Sequence, residues 1–117
     1  MSGPVSAKFR IKRHARRPYL MLSIKDADGV AFDLTGASFA KFQMKDDEGN
    51  MKITDGSGTI VSPPTSGILK YQWQTGDTDT EGNFYAEFDI EYSAGDDLTV
   101  PVDGDILIMI KEDVNNA

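Results

Sequence analysis

The 117-residue chain contains no cysteine, which excludes structural disulfides, thiolate metal sites and cysteine nucleophiles. It has a single histidine, His14, so zinc sites built on several histidines and multi-histidine proton relays are excluded as well. It lacks a long apolar run. Tyr19 to Ile24, interrupted by Ser23, is too short for a signal peptide and has no small-residue cleavage site after it, and no segment is long enough to span a bilayer. These features predict a protein made and used without export. Arginine is absent beyond residue 17.

That last absence exposes a charge asymmetry. Lys8, Arg10, Lys12, Arg13, Arg16 and Arg17 give residues 1–17 a charge of +6 with no acid among them. The remaining 100 residues hold 6 lysines and all 19 acids, which makes 6 − 19 = −13. A basic arm on an acidic body predicts a partner for the arm, while the body repels nucleic acid and anionic membranes.

Eleven glycines and five prolines fit a turn-rich β fold better than a helix bundle. Alternation with a period of two recurs along the chain. Val5, Ala7, Phe9 and Ile11 alternate with Ser6, Lys8, Arg10 and Lys12, and Leu20, Leu22 and Ile24 follow. Val30, Phe32 and Leu34 read as one strand face after the Asp28-Gly29 turn. Ala40, Phe42 and Met44 form another, and Asp55-Gly56 reads as a turn between Ile53 and Ile60. Gly56-Ser57-Gly58 reads as a hairpin turn. Leu69, Tyr71 and Trp73 share a face. Phe84, Ala86, Phe88, Ile90 and Tyr92 mark the strand expected at the centre of the core. In Ile106 to Ile110 both faces are apolar, which requires a central position or a covering partner. Eight or nine short strands with turns between them predict an all-β, two-layer antiparallel sandwich with Trp73, Phe84, Phe88, Ile90 and Leu22 inside. The organisation expected is a basic N-terminal arm over 1–18, a sandwich over 19–112 and a tail over 113–117.

Chemistry-bearing patterns are sparse. His14 has three arginines nearby in sequence and no orienting carboxylate, so a serine–histidine nucleophile is not expected. No nucleophile elbow and no phosphate loop occurs. Asp77, Asp79 and Glu81 followed by Gly82 match the first half of a calcium-binding loop, but the twelfth position is Phe88 in place of a bidentate glutamate. Turn acids such as Asp26, Asp28, Asp46, Asp47 and Glu48 are accounted for by tight-turn preferences. No metal, no cofactor, no small-molecule substrate and no enzymatic activity are expected.

Asp26-Ala27-Asp28-Gly29-Val30, then Phe32-Asp33-Leu34-Thr35-Gly36-Ala37, combine with Gly67-Ile68-Leu69-Lys70-Tyr71-Gln72-Trp73, Gly76-Asp77-Thr78-Asp79-Thr80 and Gly82-Asn83-Phe84-Tyr85-Ala86-Glu87-Phe88. In order and spacing these strings resemble the N-terminal domain of the upper baseplate proteins of tailed bacteriophages. The resemblance covers roughly residues 19–110. It implies an immunoglobulin-like β-sandwich and a structural virion protein of the tail or baseplate, the head–tail connector or the capsid surface. The partners implied are other virion proteins and copies of itself, with no catalytic residue carried over. The alternative is an immunoglobulin-like binding module for a carbohydrate or receptor, calcium-assisted through the turn acids.

The assembly element expected from the residues is the arm. Lys8, Phe9, Arg10, Ile11, Lys12, Arg13, Arg16 and Arg17 are the candidate interface. Phe9 and Ile11 would anchor a strand added to a neighbour's sheet edge, and the arginines would fork onto carboxylates. Deleting residues 1–17 is then expected to leave a folded monomer.

Overall fold

A computed structural model describes residues 5–102, 104–112 and 114. It contains eight strands: β1 (Val5–Lys12), β2 (Leu20–Ser23), β3 (Ala37–Asp46), β4 (Met51–Ile60), β5 (Ile68–Tyr71), β6 (Gly82–Tyr92), β7 (Asp97–Val100) and β8 (Asp105–Lys111). One 3-10 turn at Pro64–Ser66 is the only helical element among the described residues. The protein is all-β, as the alternation requires. Apart from Val114, the tail at 113–117 lies outside the described residues.

The two-layer packing is reached by one continuous ladder that curls back on itself in the order β1-β8-β6-β3-β4-β5-β2. β7 and β8 share one edge of β6: β7 pairs Phe88 to Glu91, and β8 pairs Gly82 to Ala86. The two strands thus lie one after the other along that edge. Every pair is antiparallel except β1–β8, which is parallel. β6 is central, with Phe84, Ala86, Phe88 and Ile90 buried. Ile106, Ile108 and Ile110 of β8 are buried on one face, while Leu107 and Met109 on the opposite face are half-buried; the strand is interior to the sheet, flanked along its edges by β1 and β6. Trp73 is 1 % exposed, edge-on to Phe42 and Tyr71. Leu22 is half-buried at the margin of this core.

Three elements differ from the pattern read in the sequence. Residues 1–18 were expected as an arm outside the domain, yet β1 is a strand of the same sheet, with Ile11 buried in the common core. A strand through Val30, Phe32 and Leu34 does not form; the segment keeps a single bridge, Lys25 to Ala31, and Val30 is exposed. The reason is local. The Asp26 carboxylate accepts from the amides of Asp28 and Val30 at 2.9 and 3.0 Å, and Asp33 accepts from the Thr35 amide at 2.9 Å. These bonds hold the backbone in loops in place of a ladder. Finally, Asp55-Gly56 is not a turn between two strands and Gly56-Ser57-Gly58 is not a hairpin turn, because β4 runs straight through both. Asp55 sits at φ 54° in a register shift opposite Phe42 and Met44, which is a bulge. Its amide and carboxylate are held by the Gln43 side chain at 2.9 and 2.7 Å.

Candidate assembly surface

β1 presents two faces, as its sequence dictates. Inward, Ile11 is 5 % exposed and Phe9 is half-buried, its ring 5.9 Å from Trp73. Outward, Lys8, Arg10 and Lys12 are exposed. Their ladder partners on β8 are Leu107, Met109 and Lys111, so no carboxylate stands across from any of the three. The apolar half of the expected interface therefore faces the chain's own core, and the surface is left with the cations.

Residues 13–17 then cross over the loop that follows β5. The Arg13 amide donates to the Lys111 carbonyl at 2.6 Å and the His14 amide to the Thr78 carbonyl at 2.9 Å, with His14 at φ 70°. Thr78 is buried, and its hydroxyl donates to the Ala15 carbonyl at 2.8 Å. The Gln72 amide donates to the Arg16 carbonyl at 3.1 Å, and Arg16 Nη1 donates to the Thr75 hydroxyl at 3.3 Å. The crossover is thus pinned at several points, and the arginines project from a fixed backbone.

Two residues of this surface escaped the sequence reading. The Arg17 guanidinium lies 5.7 Å from the centre of the Tyr19 ring, and the Lys70 ammonium lies 4.8 Å from the same ring. Lys70 is 53 positions from Arg17 in the chain, and only the β2–β5 register, which sets Met21 opposite Lys70, brings it there. Tyr19 had a signal in its place directly after Arg16-Arg17-Pro18, since rings attract neighbouring cations. Exposed Met21 adds apolar area beside them.

Two of the body's six lysines are paired with acids. Lys41 pairs with Glu91 at 2.8 Å and Lys52 with Asp79 at 2.5 Å. Among the described residues, Arg10, Arg16 and Arg17 form no ion pair, although acids exceed bases by seven.

The three acids of the partial calcium pattern are placed apart in function. The Asp77 carboxylate accepts from the Tyr71 hydroxyl at 2.6 Å and from the Gln74 amide at 2.8 Å. Burial, then the hydrogen bond to Asp77 and the Asp77 charge, push the Tyr71 hydroxyl far above the usual phenol range. Asp79 is held below the ordinary carboxylate range, first by its hydrogen bond from Lys52 and then by that from Thr80. Glu81 is exposed. Among the described residues no three histidine or acidic side chains converge in a way that could hold a metal ion. No helix among them is long and apolar enough to cross a membrane.

Residues 19–112 match the family model of the BppU N-terminal domain. No match was found among curated proteins. Among solved structures, the crystal structure of CopC from Methylosinus trichosporium OB3b is similar in fold. Its TM-score is 0.56 with 13 % identity, and the match covers 100 % of both chains. At that identity the likeness shows the fold alone. The family match begins at Tyr19, past β1 and most of the pinned crossover, although both are built into the same sheet. The order and spacing of the glycine and aspartate turns together with this match settle the family: the chain belongs to the BppU N-terminal domain family, that of the upper baseplate proteins of bacteriophages.

Proposed function

We propose that the protein is a non-enzymatic structural component of the phage particle that joins other virion proteins through the cations of residues 8–17. The observation that carries this reading is the arrangement of arginine. All four arginines precede residue 18 in a chain of net charge −7, and Arg10, Arg16 and Arg17 are matched by no carboxylate among the described residues. Guanidinium groups supply forked donors that fit carboxylates in pairs of bonds, so an acidic surface of a neighbouring virion protein or of another copy is the complementary partner. Tyr19 and Met21 extend the patch with residue types enriched at protein interfaces, and Lys70 adds a further cation beside the Tyr19 ring. The acidic body disfavours nucleic acid as the partner.

The test is incorporation into particles. Arg16→Glu with Arg17→Glu alters exposed side chains and is expected to leave the fold intact while strongly reducing incorporation. Wild-type incorporation of this variant would refute the reading. Assembly of the wild-type protein should also weaken with salt, because rim charges are screened over about 8–10 Å.

A further inference from the structure

The ladder begins at β1 and ends at β2, and each has a neighbour on one side only, β8 and β5 respectively. The two ends approach one another. Phe9 of β1 touches Trp73, just past β5, and Ala7 lines one slot together with Leu22 and Ile24. No β1–β2 pairing closes the gap. The slot has a volume of about 380 Å³, and Ser23 and Lys25 with Val100, Pro101 and Val102 at the β7–β8 junction complete its lining. Val102 is 79 % exposed. A mainly apolar slot thus runs beside a strand whose outer row of main-chain groups has no strand to pair with among the described residues.

We infer that the free edge of β1 receives an extended strand from another virion protein, one that alternates apolar and acidic residues. This rests on the docking role proposed for residues 8–17 and names its partner chemistry. A strand added at that edge lies about 4.8 Å away, so its outward side chains fall beside Lys8, Arg10 and Lys12. On the other side those cations meet Leu107, Met109 and Lys111, which leaves the added strand as the place for carboxylates. Its inward side chains fall beside Ala7 and Phe9 and enter the slot, which is lined mainly by apolar groups. Main-chain bonds supply the attraction, and the alternating pockets supply selectivity, as in strand addition generally. The cations repel a basic strand and a second β1 edge alike. The chain's own segment with the required alternation, Phe84 to Glu91, is locked in the centre of its own sheet, so another copy cannot supply it while folded.

The experiment uses the full chain, isotopically labelled for NMR, at low ionic strength. It is titrated with a capped seven-residue peptide of alternating valine and glutamate, and separately with its valine–lysine counterpart. The valine–glutamate peptide is expected to bind saturably and to slow hydrogen exchange at alternate amides between Ala7 and Lys12 by at least about tenfold. The valine–lysine peptide is expected to do neither, and Lys8→Glu with Arg10→Glu should reverse the preference. If that double variant fails to fold, Lys8→Glu alone should weaken the valine–glutamate peptide. Binding of that peptide without slower exchange on β1 overturns strand addition but leaves charge docking by residues 13–17 standing. No binding at all also overturns strand addition, and the docking role is then decided separately by the incorporation assay. A preference that survives charge reversal overturns the inference as well.

Discussion

The Phe9 ring lies 5.9 Å from the Trp73 indole, tilted by 31°, and this contact fastens the first strand to the far end of the ladder. Trp73 stands edge-on to Phe42 at 5.7 Å and to Tyr71 at 5.3 Å. Trp73→Ala is therefore expected to cost about 3–5 kcal/mol in urea unfolding, the range for large buried aromatics. Trp73→Phe should cost clearly less. It keeps a ring in place and removes an indole N–H that is buried without a partner among the described residues, a situation that costs about 1–3 kcal/mol. Equal losses for the two variants would contradict this account of the core.

Deletion of residues 1–17 is now expected to damage the fold. Ile11 is buried and Phe9 packs on the core, and β1 covers one edge of β8. Without β1 that edge, backed by Ile106, Ile108 and Ile110, becomes a template for aggregation. Size-exclusion chromatography and thermal unfolding of the truncated chain should show association and a lower midpoint. A monomer that melts as the wild type does would show that β1 adds nothing to stability.

Glu87 gives a pH signature of opposite sign to that of Asp33, Asp46 and Asp79, whose carboxyls are held below the ordinary range. Burial, and then the charges of Asp89 and Asp105, raise its folded pKa above the ordinary 4.5. A raised folded value means that the native state binds this proton more tightly than the unfolded chain does. The resulting stabilisation is full below pH 4.5 and is lost as pH rises through the folded value. Glu87→Gln is therefore expected to raise the melting midpoint at pH 7 and to have little effect below pH 4. A midpoint lowered by this substitution at pH 7 would contradict the assignment.

Gly58→Ala should destabilise although the site lies in a strand. A Cβ at Gly58 would sit 2.7 Å from the Ala40 carbonyl oxygen and 3.1 Å from the Phe88 ring. At Gly56 it would meet the Tyr71 ring at 2.9 Å. Overpacking of this kind costs about 1–3 kcal/mol, and denaturant unfolding of Gly58→Ala measures it. An unchanged midpoint would show that the neighbours give way.

These glycines mark what the residues could and could not disclose. Alternation in Phe84 to Tyr92 and in Ala40 to Met44 located central strands, because a half-buried strand writes its period directly into side-chain polarity. Gly56-Ser57-Gly58 writes the same letters as a turn. Only the rings of Tyr71 and Phe88, brought over from other strands, reveal that the glycines make room for packing. The cations of residues 8–17 were legible as a charge anomaly. The pairing of β1 with β8 was not, since nothing local to either strand encodes a parallel partner about 100 residues away. Tyr19 and Lys70 meet only through the β2–β5 register, which depends on the whole sheet.

The last prediction separates turn chemistry from metal chemistry at Asp77 and Asp79. The Asp77 carboxylate already accepts from the buried Tyr71 hydroxyl and the Gln74 amide, and Asp79 already pairs with Lys52 and Thr80. A calcium ion would have to displace these donors while gaining no ligand at Phe88, the position where such loops supply a bidentate carboxylate. Millimolar calcium is therefore expected to leave the thermal midpoint unchanged, whereas a bound ion would raise it with the logarithm of the excess of ligand over its dissociation constant. Asp77→Ala should cost about 1–3 kcal/mol even without calcium, because it strands the Tyr71 hydroxyl in the core. Combining it with Tyr71→Phe should recover part of that loss, since both partners are then removed together. A calcium-dependent rise of several degrees that disappears in Asp79→Ala would show instead that these acids form a metal site.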